Sequence, residues 1–256
     1  MTQLGFMLPN GYKINPVILD CSLGLQGYGP PDLFGGTTKN EEIDRRYSTT
    51  ILKSITANPK EGNYGAPWYL PRGWAMTDYG FPLPKKLCYV GTGNGSTTNS
   101  FGLTNEGFDY FYNIDNFREH EIIISIFIEF GNGSKEDLQK AYSSAKYMGE
   151  KLSSGYTKHG FKVAAIVINI SCPNDGNGVC LFSDEIIKVI KVFKDAIGEI
   201  PLGIKYSYMQ NISLAKSLDS EVDIAFHQAI NTIPFKVVYG DKKFSPLSHI
   251  GHGGIS

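Results

Sequence analysis

Six short apolar runs, separated by longer stretches with helical patterns, most constrain the fold of this 256-residue chain. The runs are rich in β-branched residues and several are almost continuously apolar, which is typical of strands buried on both faces of a parallel sheet. They are residues 16–20, 50–54, 121–128, 163–170, 201–205 and 222–226, the last running on to residue 231. Repeated strand, helix and strand order predicts a parallel α/β fold.

Two of the intervening stretches have a clear helical period. Apolar positions in residues 138–152 step by three and four, and residues 134–137 before them have the spacing of a capping box. A second stripe occupies residues 186–197, with Ser183 as its predicted N-cap and Gly198 just past its end. Both stretches are therefore predicted to be amphipathic helices that pack against the sheet.

Two other segments depart from this alternation. Residues 6–14 have Asn10-Gly11 at their centre, which predicts a β-hairpin with a two-residue turn. Residues 57–98 are rich in Gly, Pro and aromatic residues without periodicity, so we interpret them as a long loop or insertion near the active site. A disordered insertion is the alternative, but the aromatic residues, Trp68 and Trp74 among them, argue against it.

Composition excludes several classes of function. With 24 basic and 25 acidic side chains, none clustered, the chain has no signature of nucleic-acid binding. Its apolar runs are far shorter than the ~20 residues of a membrane helix, and no signal peptide is evident. No C-x-x-C pair occurs, so no metal site is predicted, and His227 is interpreted as a core histidine. A reduced, cytoplasmic setting is the simplest interpretation.

Polar residues gather where the predicted strands end, which is where parallel α/β folds place their ligands. Lys53 and Ser54 end one strand, Lys205 ends another, and Asn231 and Thr232 follow the sixth. A buried lysine is costly unless it meets an anion or an acceptor. Each lysine alone could extend to water, but two at equivalent strand ends favour a shared anionic or polar ligand.

The segment Asn169-Ile-Ser-Cys-Pro-Asn174 is the most informative of these strand ends. Pro173 pushes Cys172 toward extended or turn geometry, and the asparagine amides on either side can donate and accept hydrogen bonds. Such amides suit a planar heterocycle with carbonyls and ring NH groups. The Cys172 thiolate could act as a general base, although a lone cysteine is more often a small buried hydrophobe.

Six segments in the same order together resemble the dihydroorotate dehydrogenases, specifically the soluble class whose base is a cysteine. The resemblance covers essentially the whole chain except residues 64–98. The matching segments are Lys53-Ser-Ile-Thr56 with Pro59-Lys-Glu-Gly-Asn63, residues 99–110, Asn169-Ile-Ser-Cys-Pro-Asn174, Pro201-Leu-Gly-Ile-Lys205, Asn231-Thr232 and Gly253-Gly-Ile-Ser256.

The resemblance implies a (β/α)₈ TIM-type barrel that forms one FMN-binding domain over residues 1–256. It implies oxidation of dihydroorotate to orotate in de novo pyrimidine biosynthesis, in a cytoplasmic homodimer with fumarate as the electron acceptor. Cys172 would take the proton from the substrate while hydride passes to the flavin N5. The implied substrate-binding residues are Lys53, Asn99, Gly102, Leu103, Asn169, Asn174, Asn231 and Thr232. The implied cofactor-binding residues are Cys21, Ser22, Lys53, Ser54, Asn169, Lys205, Ile230, Gly253 and Gly254.

The chain also departs from the family pattern. Asp20-Cys-Ser-Leu-Gly24 replaces a small strand end against the flavin, Lys60 replaces an arginine, and residues 64–98 are longer than the family's connection. Two other functions therefore stay open. One is a related flavin-dependent dihydropyrimidine oxidoreductase, and the other is a non-catalytic homologue or a fragment unable to hold FMN.

Length adds a further expectation. The six predicted strands occupy residues 16–232, so each unit takes about 36 residues and eight units would need about 288. We therefore expect this chain to supply about six of the eight βα units. The last two units of such barrels carry the phosphate site, so the chain is expected to bind FMN poorly or not at all as it stands.

Overall fold

The structure is a computed structural model, and it describes the sheet and its helices together with short parts of the connections. The described residues are 5–15, 17–20, 48–60, 74–76, 82–84, 89–91, 97–99, 102–103, 105–113, 121–131, 133–170, 183–207, 212–229, 233–234, 237–238 and 254–255. The helices among them are α1 (Phe108–Asn113), α2 (Lys135–Leu152), α3 (Ser183–Ile197) and α4 (Ile212–Glu221). The strands among them are β1 (Phe6–Met7), β2 (Lys13–Ile14), β3 (Val17–Asp20), β4 (Ser48–Ile55), β5 (Trp74–Met76), β6 (Pro82–Pro84), β7 (Tyr89–Gly91), β8 (Thr97–Asn99), β9 (Glu121–Ile126), β10 (Lys162–Asn169), β11 (Leu202–Lys205), β12 (Phe226–Gln228), β13 (Ile233–Pro234) and β14 (Gly254–Ile255).

The central feature is a parallel sheet of six strands within the described residues. Its strands lie in the order β3-β4-β9-β10-β11-β12, and each strand pairs in parallel with its neighbours. Each of the six predicted apolar runs contributes to one of them, and spatial order follows chain order, as in the wall of a βα barrel. The predicted parallel α/β fold is confirmed, whereas closure into eight units stays a prediction.

One face of this sheet carries the helices and the larger hydrophobic core. Ile124 and Ile166 point to this face and are fully buried against apolar side chains of α2 and α3 such as Met148 and Phe193. The two helices approach closely at Gly149, where an added Cβ would lie 2.6 Å from the Cβ of Ala196. A glycine is therefore required here by packing.

Both predicted helices are confirmed, with small differences at their ends. Ser134 caps α2 by accepting a hydrogen bond from the Asp137 backbone N–H, at 3.1 Å. Helix α3 begins at Ser183 itself, and the Gly198 N–H donates to the Lys194 carbonyl at 3.1 Å as the helix ends. Helices α1 and α4 were not predicted, because one is short and the apolar stripe of the other was assigned in part to a strand.

The opposite, inner face of the sheet is closed at its amino end by the N-terminal hairpin of β1 and β2. Leu8 and Ile14 of the hairpin pack on Ile123 and Val167 of the sheet in a second apolar cluster. The Asn10 side-chain amide donates to the Ala164 carbonyl at 2.9 Å, which fixes the hairpin to β10. This apolar layer is the floor of the inner face.

The hairpin itself is confirmed, but its predicted two-residue turn is wrong. The Leu8 N–H donates to the Tyr12 carbonyl, and the Gly11 N–H donates to the Leu8 carbonyl, so three residues form the turn. Gly11 takes the positive φ of 81°, while Asn10 uses its side-chain oxygen to accept from the Tyr12 N–H. This is the geometry of a type I turn followed by a left-handed residue, which suits the twist of a hairpin as well.

The sixth strand starts later than predicted: it spans Phe226–Gln228, within a run predicted from residue 222 on to residue 231. The Val222 N–H donates to the Leu218 carbonyl, so Val222 completes the end of α4. Its side chain is buried in the helix-side core with Leu214 and Leu218. The apolar character that predicted a strand therefore belongs to the end of a helix.

The region predicted as one long loop, residues 57–98, contains secondary structure. Strands β5 and β6 pair antiparallel, and β7 pairs with β8. Strand β8 then pairs with β14, which pairs with β13, so the segment joins the C-terminal part of the chain in a small antiparallel sheet. These strands are two or three residues long, which explains why no periodicity marks them.

Candidate functional site

A layer of polar side chains lies above the apolar floor, at the carboxyl ends of the central strands. Register places Ser54 beside Ser125, Asn169 beside Lys205, and Lys205 beside Gln228. Side chains alternate along a strand, so residues two positions apart share a face. Ser125, Asn169, Lys205 and Gln228 each follow a residue of the inner face by two positions, and therefore lie on that face as well. We call Ser54, Ser125, Asn169, Lys205 and Gln228 the polar rim.

Hydrogen bonds join three members of the polar rim. The hydroxyl oxygens of Ser54 and Ser125 lie 2.8 Å apart, and the Asn169 amide nitrogen donates to the Ser54 hydroxyl at 3.1 Å. Ser125 and Asn169 are almost fully buried. These bonds fix the orientation of the Asn169 amide before any ligand binds, which is the preorganisation that a binding site requires.

Lys205 is the buried cation of the polar rim, with 9% of its surface exposed. Its backbone carbonyl accepts from the Ile170 N–H at 3.2 Å, and the Gln228 carbonyl accepts from the Tyr206 N–H at 3.1 Å. Backbone hydrogen bonds thus continue to join β10, β11 and β12 up to their carboxyl ends. An ammonium group held this deeply favours a site for an anionic or electron-rich ligand.

A tight turn at Gly102 and Leu103 lies close to the end of β4 in the fold. Both residues have positive φ, 66° and 58°, and Leu103 is the one non-glycine residue with positive φ in the part of the chain that the structure describes. A leucine in this conformation carries about 1–2 kcal/mol of backbone strain. Asn105 bonds to the Leu103 carbonyl and to Thr56, which directly follows β4. The turn is therefore anchored to the strand that carries Ser54.

The small antiparallel sheet brings two predicted site residues together. Asn99, predicted to bind substrate, pairs with Gly254, predicted to bind cofactor. Their Cα atoms are register partners although the two residues are far apart in sequence. The pairing brings these two predicted residues close together, while their contribution to one site stays a prediction.

The structure places only part of the predicted site. Ser54, Asn169 and Lys205 come together in the polar rim, Gly102 and Leu103 form the turn, and Lys53 is described only by its backbone in β4. The predicted site residues that lie outside the described residues are Cys21, Ser22, Cys172, Asn174, Ile230, Asn231, Thr232 and Gly253.

Sequence reasoning missed Ser125 and Gln228 as members of the polar rim. Ser125 is the one polar residue inside the otherwise apolar stretch of residues 122–128, which is a signal that could have found it. Gln228 was missed because the sixth run was predicted to continue to residue 231, so that Asn231 and Thr232 were taken as its end. A strand ending at Gln228 would have put that side chain at the same rim as Lys205.

The outer face of β11 and β12 carries a different polar cluster. The Tyr206 hydroxyl lies 2.8 Å from His227 Nδ1, and His227 Nε2 lies 2.8 Å from the Asp219 carboxylate of α4. His227 is exposed at the sheet surface, so its interpretation as a core histidine is wrong. Burial, and the Asp219 charge to a smaller extent, raise the pKa of the Tyr206 hydroxyl.

The donor set of the polar rim determines which ligands fit. Hydroxyl, amide and ammonium groups above an apolar floor are complementary to the edge of a flat heterocycle with carbonyl oxygens and ring nitrogens. Within the described ranges, no group of three His, Cys, Asp or Glu side chains could hold a metal ion. Among the helices placed by the structure, none combines the length and apolar character needed to cross a membrane.

Comparisons with known proteins identify the family of the chain. A search of curated proteins finds no match to the chain. The family model described as Dihydroorotate dehydrogenase matches residues 33–256, which is most of the sequence and includes every strand of the central sheet except β3. The chain therefore belongs to the dihydroorotate dehydrogenase family.

Proposed function

We propose that the protein is an FMN-dependent dihydroorotate dehydrogenase that oxidises dihydroorotate to orotate in de novo pyrimidine biosynthesis. The observation that carries this proposal is the polar rim, a buried set of hydroxyl, amide and ammonium groups at the carboxyl ends of parallel strands. The match to the family over residues 33–256 supports it. Ligand sites in such folds lie at this end of the sheet.

The residues of the polar rim fit the cofactor. FMN, when bound, supplies an acceptor for hydride at its N5 atom. Lys205 would hold the electron-rich edge of the isoalloxazine and stabilise negative charge there, and the Ser54 hydroxyl and Asn169 amide would bond its polar atoms. The further residues proposed to contact FMN are Cys21, Ser22, Lys53, Ile230, Gly253 and Gly254.

The substrate needs groups that recognise a uracil-like ring and a carboxylate. Asparagine amides can donate to ring carbonyls and accept from ring NH groups, and a lysine ammonium suits the carboxylate. The residues proposed to contact the substrate are Lys53, Asn99, Gly102, Leu103, Asn169, Asn174, Asn231 and Thr232. Within this set, the structure describes the Asn169 side chain as buried and oriented by a hydrogen bond to the Ser54 hydroxyl.

Cys172 is proposed as the general base. The chain leaves β10 after Asn169, and the Ile170 N–H donates to the Lys205 carbonyl, so the segment that contains Cys172 starts at the polar rim. The thiolate would take the proton from C5 of dihydroorotate as the hydride at C6 passes to the cofactor, leaving the C5–C6 double bond of orotate. A nearby cation increases the thiolate fraction at neutral pH.

The visible spectrum of the purified protein tests this function. With FMN in excess, so that weak binding is detected, we expect dihydroorotate to bleach the flavin absorbance of the bound fraction. Cys172→Ala should abolish the bleaching while FMN binding persists, and Cys180→Ala is the matched control because Cys180 belongs to no motif. A protein that binds no FMN under these conditions contradicts the proposal.

Further properties of the enzyme are proposed from the class it resembles. We propose fumarate as the electron acceptor, a homodimer as the assembly and the cytoplasm as its location. Fumarate added to the reduced protein should restore the flavin absorbance and yield succinate. An acceptor that restores the absorbance where fumarate does not would change the assigned class.

Two alternative functions are a related dihydropyrimidine oxidoreductase and a non-catalytic homologue, and Asp20 is the residue that favours them over the proposed function. Asp20 ends β3 with its Cα opposite Ile51 of β4, so a carboxylate belongs to the edge of the sheet where the family has a small strand end. Dihydrouracil that bleaches the flavin faster than dihydroorotate would support the first of these. Orotate binding without any flavin binding would support the second.

A further inference from the structure

The turn at Gly102 and Leu103 is held by a buried amide that the proposed chemistry does not use. Asn105 is 1% exposed, and its side chain makes bonds from both of its polar atoms. Its Nδ2 atom donates to the Leu103 carbonyl at 2.5 Å and to the Thr56 hydroxyl at 2.8 Å. Its Oδ1 atom accepts from the backbone N–H groups of Thr56 and Gly107, at 3.2 and 2.9 Å.

The backbone on either side adds to this anchor. The Asn105 N–H donates to the Lys60 carbonyl, and the Lys60 N–H donates to the Asn105 carbonyl, both at 2.9 Å. The Thr56 hydroxyl also lies 2.6 Å from the Asn58 carbonyl. The amide thus joins the segment after β4 to the chain that follows the turn.

Strain at Leu103 requires such an anchor. A non-glycine residue keeps a left-handed backbone only where its surroundings impose it, at a cost of about 1–2 kcal/mol. The Asn105 side-chain amide holds Leu103 through a hydrogen bond to its carbonyl. The same amide also bonds to Thr56, which lies two positions after Ser54 of the polar rim. The distance between the strained turn and the polar rim is therefore fixed through one side chain.

We propose that Asn105, together with Thr56, is the positioning residue that orients the turn at Gly102 and Leu103 toward the substrate. This inference rests on the proposed function, in which the turn contacts dihydroorotate. Asn105 is buried behind the turn and acts through Leu103. Its effect is on substrate affinity, because the turn binds the ground state and the transition state alike.

Asn105→Asp gives the sharpest test because it removes only the hydrogen bonds that the Nδ2 atom donates, to the Leu103 carbonyl and the Thr56 hydroxyl. A carboxylate can still accept from the N–H groups of Thr56 and Gly107, but it faces the Leu103 carbonyl with an acceptor instead of a donor. We expect the Kd for orotate of the FMN-saturated protein to rise about tenfold, which is the loss of one good hydrogen bond. The KM for dihydroorotate should rise equally, with kcat within about twofold of the unaltered protein.

Thr56 provides a second, milder route to the same result. Thr56→Val removes the hydroxyl that accepts from Asn105 and is expected to weaken orotate binding about threefold, while Thr56→Ser keeps the hydroxyl and should restore the unaltered affinity. Asn113→Asp is the matched control, because Asn113 Nδ2 also donates to a backbone carbonyl, that of Asp109, but at an exposed position of α1.

A comparison at equal stability separates positioning from simple loss of structure. Ile14→Ala, in the hairpin at the opposite end of the sheet, lowers the stability without touching the turn and should leave the orotate Kd unchanged. Equal orotate affinity in Asn105→Asp, Thr56→Val and the unaltered protein overturns the inference and leaves the proposed function standing. An unaltered protein that does not bind orotate in excess FMN overturns the proposed function, and the positioning role with it.

Discussion

The two ends of the inner face of the sheet are built from the same strands but serve different purposes. At the amino end, Leu8 and Ile14 of the hairpin cover an apolar floor that includes Ile123. At the carboxyl end, the same face carries the polar rim, with Asn169 and Lys205 buried beside each other. Apolar packing is therefore concentrated at one end of each strand and polar side chains at the other, which is the division that βα barrels use.

The difference follows from what each end can bury. Apolar side chains need only complementary shape, so the floor is closed by a hairpin whose few polar contacts lie at its edge, as at Asn10. Polar side chains need partners, and in the rim Ser54 supplies one to Asn169. The floor can thus be closed permanently, whereas the rim stays polar enough to accept a ligand.

The largest expected effect is on stability and comes from the floor. Ile123→Ala removes a fully buried side chain between the hairpin and the sheet, and should lower the free energy of unfolding by about 2–5 kcal/mol. Urea denaturation measures this change. Ile212→Ala is the control, because Ile212 is 72% exposed and its removal should change stability by less than about 0.5 kcal/mol. If Ile123→Ala changed the free energy of unfolding as little as Ile212→Ala does, the distinction between the two ends of the sheet would not hold.

The rim should show the opposite behaviour. Lys205→Met keeps most of the length of the side chain but removes the buried charge, so we expect dihydroorotate turnover to fall about a hundredfold. Stability should change much less than turnover, because the interactions lost with the ammonium group are offset by the lifted cost of burying it. Turnover and urea denaturation measured on one preparation check both parts, with the exposed Lys216→Met as the control. A large loss of stability with unchanged turnover would make Lys205 a structural residue.

The sequence predicted the sheet well because its signal is local. Each strand of the central sheet except β12 contains a short apolar run, and both predicted helices carry a continuous apolar stripe. Ser54, Asn169 and Lys205 were predictable because polar residues directly end apolar runs. The polar rim could be assembled from such endings once a parallel sheet was assumed.

The missed features depend on interactions between distant parts of the chain. The pairing of Asn99 with Gly254 joins strands of three and two residues, too short to show a period. An apolar residue such as Val222 suits either a buried strand or the end of a helix. The hydrogen bond from its N–H to the Leu218 carbonyl, which assigns it to the helix, cannot be read from the sequence. The strain at Leu103 likewise has no sequence signal apart from the glycine before it, because Asn105 imposes it.

A smaller effect on stability is expected at Gly203 of β11, where the apolar floor meets the polar rim. A Cβ added there would overlap the ring of Phe226 on the neighbouring strand. Gly203→Ala should therefore destabilise the protein by about 1–3 kcal/mol. Phe226→Leu should relieve the overlap, so the double variant should lose less than the sum of the two single variants in urea denaturation. Strict additivity would show that the two residues do not share this space.

The smallest expected effect is a pH dependence of stability, and it compares the two sides of the chain at the end of β11. Lys205 faces the polar rim there, and Tyr206 faces the helix side. Because the Tyr206 pKa is raised in the folded state by burial and by Asp219, unfolding releases its proton once pH exceeds the ordinary value near 10. Its contribution to stability is thus fully present below pH ~10 and lost as pH rises above it. Between about pH 9 and about pH 11, the unaltered protein should lose about 1 kcal/mol more stability than Tyr206→Phe.

Tyr147 provides the comparison for this measurement, because a bond to Asp109 raises its pKa to about 12 at an exposed position. Solvent screens that pair, so Tyr147→Phe should flatten the same pH profile less than Tyr206→Phe does. Urea denaturation at each pH gives both profiles. Equal profiles for the two variants would mean that burial on the outer side of β11 contributes nothing, and that the pH response belongs to exposed tyrosines. A steeper profile for the unaltered protein, lost only in Tyr206→Phe, would assign that response to the cluster of Tyr206, His227 and Asp219, which lies on the opposite side of β11 from Lys205.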